Sequence, residues 1–251
     1  MLKFVDCNCA VGVLNAVSGW RVYDHREIER LSRACGIVQA FAYHNAALDL
    51  HPIDGNTEIT HIAKQTPFFQ PVWVVMPNDT GEFYDSEILI SKLSESNVRM
   101  VRLFPKYNVL SYSLSDWCCG ELLSALENAG ISILLDADQC SWEEVHALCA
   151  SHPNLKIILT NIYYRNARYL FPLLQKHRSL YAETSGMKSF GLLQMVCERV
   201  GSHKMVFGSN LGVFSVGSAI CMITYANISQ LDKEKIAGRN LMEIIELEVT
   251  A

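Results

Sequence analysis

Residues 98–138 read VRMVRLFPKYNVLSYSLSDWCCGELLSALENAGISILLDAD. A short apolar run at Val98–Phe104 gives way to a stretch with helical spacing at Leu114–Asn128. Gly130 follows, where a helix stop with positive φ belongs, and a second apolar run begins at Ile131–Asp138. A strand, a helix and a second strand with so short a return connection imply two parallel strands joined by a right-handed crossover.

Outward from this unit the same alternation fills the chain. Strands are expected at Leu2–Cys9, Ile37–His44, Phe69–Met76, Leu155–Ile162, Leu180–Ser185 and Lys204–Asn210. Helical segments are expected at His25–Ala34, Ser86–Leu93, Ser141–Ser151, Asn166–Lys176, Gly191–Val200, Val216–Ile228 and Asp232–Leu247. Eight β-then-α units predict an α/β fold, a (β/α)8 TIM barrel, as a single domain over 1–251. A doubly wound open sheet is the runner-up, but CNCAVG after Asp6 lacks the glycine fingerprint of such sheets. The stretch Asn45–Asn56 reads as the longest irregular segment, placed over the catalytic face.

Apolar residues make up 50% of the 251 and charged residues 19%, which suits a parallel sheet covered on both faces. Nine cysteines, an odd number without CxxC spacing, fit free thiols and a cytoplasmic location. No run reaches the length of a membrane span and the start lacks signal-peptide features, so no membrane partner is expected. A net charge of −5 without a basic block argues against nucleic acid. The expected partner is a small-molecule ligand, and self-association into a homo-oligomer stays open.

The strand ends carry a resemblance. KFVDCNCAVG resembles the opening strand of the amidohydrolase-related (amidohydrolase family 2) TIM barrels, usually hydrophobic-Asp-x-His-x-His-x-Gly, with Asn8 and Ala10 at the histidine positions. GISILLDADQ resembles the fifth strand, with Asp136 for histidine, and LKIILTNI the sixth, with Asn161. KMVFGSNLG resembles the eighth-strand Phe-Gly-Ser-Asp motif, with Asn210 for the metal-binding aspartate, and a closing GRNLMEII follows. The whole order of motifs resembles an uncharacterised bacterial subgroup that also lacks the first-strand histidines. The resemblance implies a hydrolase or lyase barrel. Its missing imidazoles imply no transition metal and no other cofactor, because amide oxygens are weak ligands.

If Asn8 faces the barrel interior, strand alternation turns Asp6 and Ala10 inward too, and Cys7 and Cys9 toward the helices. The same parity pairs Arg102 with Phe104, Asp136 with Asp138, Asn161 with Tyr163, Glu183 with Ser185, and Gly208 with Asn210. Several carboxylates on one axis need compensation, for which Arg102 and then Lys106 are the nearest cations; otherwise one stays protonated and ready for acid/base work. Candidate catalytic residues are therefore Asp136, His44 and Glu183, and candidate substrate-binding residues are Asn8, Arg102, Asp138, Asn161, Tyr163 and Asn210.

Bland readings stand beside these. Asp6 and Asp138 suit loop capping, the three asparagines could hold one another in a plugged barrel, and His44 could only pin its loop. His51 is a weaker base candidate, His61 has no evident partner, and His146, His152, His177 and His203 read as solvated. Cys118 and Cys119 read as helix packing, while Tyr163, Tyr164, Trp20 and Phe214 could wall a pocket. Three functions compete: a metal-independent hydrolase or lyase acting on a small polar carbonyl compound, with Arg102 as anion anchor; a catalytically silent ligand-binding barrel; and, ranked last, an enzyme using a hard cation on Asp6, Asp136, Asp138 and Glu183.

Overall fold

The unit read at residues 98–138 is present and repeats around the chain. In the computed structural model, which describes residues 2–13, 24–189, 191–211 and 213–246, eight strands pair in sequence order, every pair parallel. They are β1 (Phe4–Val11), β2 (Ile37–His44), β3 (Phe69–Val74), β4 (Met100–Leu103), β5 (Ser132–Asp136), β6 (Ile157–Thr160), β7 (Leu180–Glu183) and β8 (Met205–Val206). The ring closes where the Cys7 amide donates to the Phe207 carbonyl at 3.1 Å and the Asn210 amide to the Asn8 carbonyl at 2.9 Å. A further parallel bridge joins Cys9 to Leu211.

Helices follow the strands: α1 (His25–Ala34), α2 (Ala46–Asp49), α3 (Pro52–Gln65), α4 (Ser86–Glu95), α5 (Asp116–Asn128), α6 (Trp142–Ser151), α7 (Ala167–Lys176), α8 (Leu192–Arg199), α9 (Val216–Thr224), α10 (Gln230–Glu234) and α11 (Asn240–Ile244). A π-helical stretch, Lys235–Arg239, links the last two. Gly130 has φ +68° with open space around its α-carbon, so the backbone angle and not crowding calls for glycine there. Among the described residues no helix is long and apolar enough to cross a membrane.

Apolar residues separate by strand face. One set, including Val101, Leu103, Leu135 and Leu159, packs under helix residues such as Leu123 and Leu148. The other fills the barrel: Val5, Phe41, Val72, Met100, Leu134, Ile158 and Val206 come from seven strands, and Leu241, Met242 and Ile244 of α11 join them. All nine cysteines are free, and Cys119 is buried in the core as expected for helix packing.

Several expectations change. Asn45–Asn56 is not irregular: it forms α2 and the start of α3, with Pro52 in the first turn and the His51 ring accepting from the Ile53 amide. Gly55 lets the two helices touch, since a Cβ there would lie 2.3 Å from the Ala47 nitrogen. Cys7 does not face the helices; it belongs to the barrel interior, because the β1–β2 register shifts between Asp6 and Cys9 and resets the alternation. Cys9 does pack outward. His152 is buried against Glu127, not solvated, and His146 and His177 share a 2.8 Å hydrogen bond. Trp20 lies outside the described residues.

Candidate active site

The C-terminal strand ends join six of the expected residues into one chain of hydrogen bonds. Asn210 Nδ2 donates to Asn161 Oδ1 at 2.9 Å, and Asn161 Nδ2 donates to Asp136 Oδ2 at 2.8 Å. The other Asp136 oxygen accepts from Arg102 Nη2 and from Thr160 Oγ1. Arg102 Nη1 donates to Asn8 Oδ1 at 2.7 Å, and Asn8 Nδ2 donates to Glu183 Oε2 at 3.2 Å. Glu183 then accepts from the amide and hydroxyl of Ser185.

Local backbone aims these groups. Asn161 and Asn210 take φ of +54° and +47°, left-handed values that asparagine tolerates better than most residues, and they lie one residue past β6 and four past β8. Parity therefore fails on β6: Thr160 is the residue that follows Ile158 inward, and Asn161 reaches the same carboxylate only by the left-handed turn. Gly208 leaves room for Glu183, because a Cβ there would sit 2.4 Å from Glu183 Oε1.

Charge is balanced unevenly. The Arg102 guanidinium is buried, lies 5.0 Å from the Tyr43 ring centroid and 5.1 Å from that of Phe104, and forms an ion pair with Asp136. Burial opposes its charge, but Asp136 together with Tyr43 and Glu183 offsets this and holds its pKa above the usual value. Arg102 Nε has no hydrogen-bond partner. Among the described residues Glu183 has no cation bonded to it, and burial raises its pKa to about 7 against the lowering effect of its hydrogen bonds. Asp6, also buried, is raised to about 6 by desolvation.

The remaining expected residues stand apart. Asp6 accepts from the amides of Asn8 and Ser209 and from the Ser209 hydroxyl, which fastens the β1 bulge to the segment after β8; this is the capping reading. Asp138 does not share parity with Asp136, since the chain turns at the end of β5 with Gln139 N bonded to Asp136 O; it is exposed, 3.7 Å from Lys106. Tyr163 is 49% exposed, and its hydroxyl pKa is raised by burial and by Asp138, Asp136 and Glu183, which places it beside the mouth. His44 Nδ1 accepts from the Ala46 amide at 3.1 Å, and burial lowers its pKa, so the ring is neutral at pH 7 and pins the start of α2. No hydrogen bond or ion pair among the described residues links it to Asp136. Sequence reading missed Thr160, Tyr43 and Ser209; the last stands inside the quoted FGSN motif.

The donor set is a poor fit for a transition metal. Ala10 offers none, the amides of Asn8, Asn161 and Asn210 are bonded to neighbours, and both Asp136 oxygens are taken, one by a guanidinium. Among the described residues no group of three or more His, Cys, Asp or Glu side chains is arranged to hold a metal ion.

No protein-family model and no curated protein matches this chain. Solved structures do. An uncharacterised TIM-barrel protein from Bordetella bronchiseptica superposes with a TM-score of 0.76 at 14% identity, covering 98% of this chain and 99% of that one. A 5-carboxyvanillate decarboxylase from Sphingomonas paucimobilis gives 0.78 at 14%, over 99% and 100%. Another from Novosphingobium aromaticivorans, a mutant with bound manganese and a nitrobenzoic acid, gives 0.74 at 11%, over 98% and 97%. Others are named dihydroxybenzoate decarboxylases or amidohydrolases. At these identities the likeness is one of fold, and by it this chain is a single (β/α)8 barrel of the architecture that those decarboxylases and amidohydrolases share.

Proposed function

We propose that this protein is an enzyme of amidohydrolase-like build, a hydrolase or lyase that acts on a small polar carbonyl compound without a bound transition metal. The observation that carries this reading is the Arg102 guanidinium seated against Asp136 and Asn8: a fixed cation of the chain occupies the only carboxylate left at the family's ligand positions. Glu183, with a pKa of about 7, is the acid/base group, since it can hold or release a proton near neutral pH. Asn161 and Asn210 orient a carbonyl or hydroxyl from their outer amide valences, and Tyr163 walls the mouth. Asp136 fixes Arg102. The neighbours named decarboxylases make aromatic carboxylates the first compounds to screen.

A second reading, a catalytically silent ligand-binding barrel, is favoured by one observation: Asn8, Asn161 and Asn210 spend amide groups on one another's partners. A thermal-shift screen of aromatic carboxylates, lactones and sugar acids, followed by a turnover assay on each hit, separates the two. Elemental analysis runs alongside. About one manganese, zinc or iron per chain, lost with activity on chelation, would overturn the metal-free proposal. A ligand bound without turnover would support the silent barrel.

A further inference from the structure

A concavity of about 610 Å³ is formed by the loops after β3 and β4 and the first turn of α5, with Glu144 of α6 on its wall. Leu110 lines it and packs against the cluster of Ala47, Val74 and Phe104, and no residue of the polar network is among the described residues that line it. This volume falls within the usual range for a small-molecule pocket. Its rim carries two large aromatic side chains left almost wholly in water, Trp117 at 83% exposure and Tyr107 at 82%.

The charge of the lining is one-sided. Asp79, Glu82 and Glu144 contribute carboxylates, and no Lys, Arg or His among the described residues lines the cavity. An adjoining cavity of about 240 Å³ shares Asp79 and adds Asp85 and Glu121, again without a basic residue. Glu144 is tied to Ser141 as a helix cap and Asp85 accepts from Asn78, whereas among the described residues Asp79 and Glu82 have neither a hydrogen bond nor an ion pair. Lys92 is placed over the Tyr84 ring, and Lys106, flanked by the lining residues Pro105 and Tyr107, lies 3.7 Å from Asp138.

We propose that this cavity binds a small organic cation, an ammonium group on a hydrocarbon body. Indole and phenol faces attract a cation through their quadrupoles, the free carboxylates of Asp79 and Glu82 add Coulomb attraction, and Leu110 receives the hydrocarbon. Among the described residues no basic side chain lines the cavity to receive an anion. The site is independent of the reading given above for the mouth.

Isothermal titration of the full chain with spermidine and with choline, and with neutral 1,4-butanediol as control, tests the proposal. The expected result is saturable binding of at least one amine that weakens as salt is added and falls by about tenfold or more in Trp117→Ala and in Asp79→Asn/Glu82→Gln. These residues are at the surface, so the variants fold, and a Glu183→Gln variant binds as the parent does. Absence of binding up to about 10 mM amine, equal binding of the diol, or binding unchanged in both variants would overturn it. Binding of a lysine-rich peptide without any binding of the free amines would also overturn it, making the groove a docking surface.

Discussion

Two carboxylate settings share the mouth of this barrel and are neutralised differently. On the β4–β6 arc Asp136 meets a guanidinium and two further donors; on the β7–β8–β1 arc Glu183 and Asp6 meet hydrogen-bond donors only, and burial raises them to about 7 and about 6. The first arrangement fixes a charge pair in place. The second leaves protons that come and go near neutral pH, so chemistry is assigned to the arc without a cation.

Breaking the charge pair should have the largest effect. Arg102→Met leaves the Asp136 carboxylate buried without its cation and should cost about 3–5 kcal/mol in urea denaturation. Arg102→Met/Asp136→Leu should recover most of that, because replacing both charges with packed apolar groups is nearly neutral. A loss below about 1 kcal/mol in the single variant would mean that the guanidinium is not what holds Asp136.

The uncompensated arc should show itself in pH. Glu183 is raised when folded, so between its ordinary value of 4.5 and about 7 the native state binds more protons than the unfolded state, and stability falls as pH rises. The fall attributable to Glu183 should be about 3 kcal/mol across that window, with Asp6 adding a similar fall lower down, between 3.8 and about 6. Glu183→Gln should flatten the upper part of the curve. A parent curve that is already flat there contradicts the contrast between the arcs.

Smaller effects sharpen the same comparison. Gly208→Ala pushes a methyl against Glu183 Oε1 and should cost about 1–3 kcal/mol by overpacking, whereas Gly120→Ala on α5, where the nearest atom is 3.4 Å away, should cost little. His44→Ala removes one acceptor for the Ala46 amide and should cost about 1 kcal/mol of stability. Once a substrate is in hand, a loss of kcat in this variant far beyond that small destabilisation would return His44 to the acid/base role.

Much of the fold was legible because a parallel strand buried on both faces is a short apolar run, and Gly130 and Gly36 mark where helices hand over to strands. The site was legible as far as strand ends are. Asn8, Arg102, Asp136, Asn161, Asn210 and Glu183 do converge, but Asp138 leaves with the turn after β5, and Thr160 takes the inward place that parity gave to Asn161. Alternation holds only while the strand is regular. A bulge at Asp6–Cys9 or a left-handed asparagine resets it, and neither is written in the hydrophobic pattern.

The sequence alone determined the order of eight β-then-α units, the parallel sheet they imply and that positions 8, 10, 136, 161 and 210 carry no imidazole, because periodicity and residue chemistry are local properties. Only the tertiary structure decided which carboxylate receives the guanidinium, that Cys7 turns inward, that residues 46–49 and 52–65 are helical and that His44 pins a helix start. Those outcomes depend on which groups are brought within hydrogen-bonding distance when the strands close into a ring, and on how deeply each charge is buried there. Neither quantity exists until residues 94 or 175 positions apart, Asn8 with Arg102 and Asn8 with Glu183, are placed side by side.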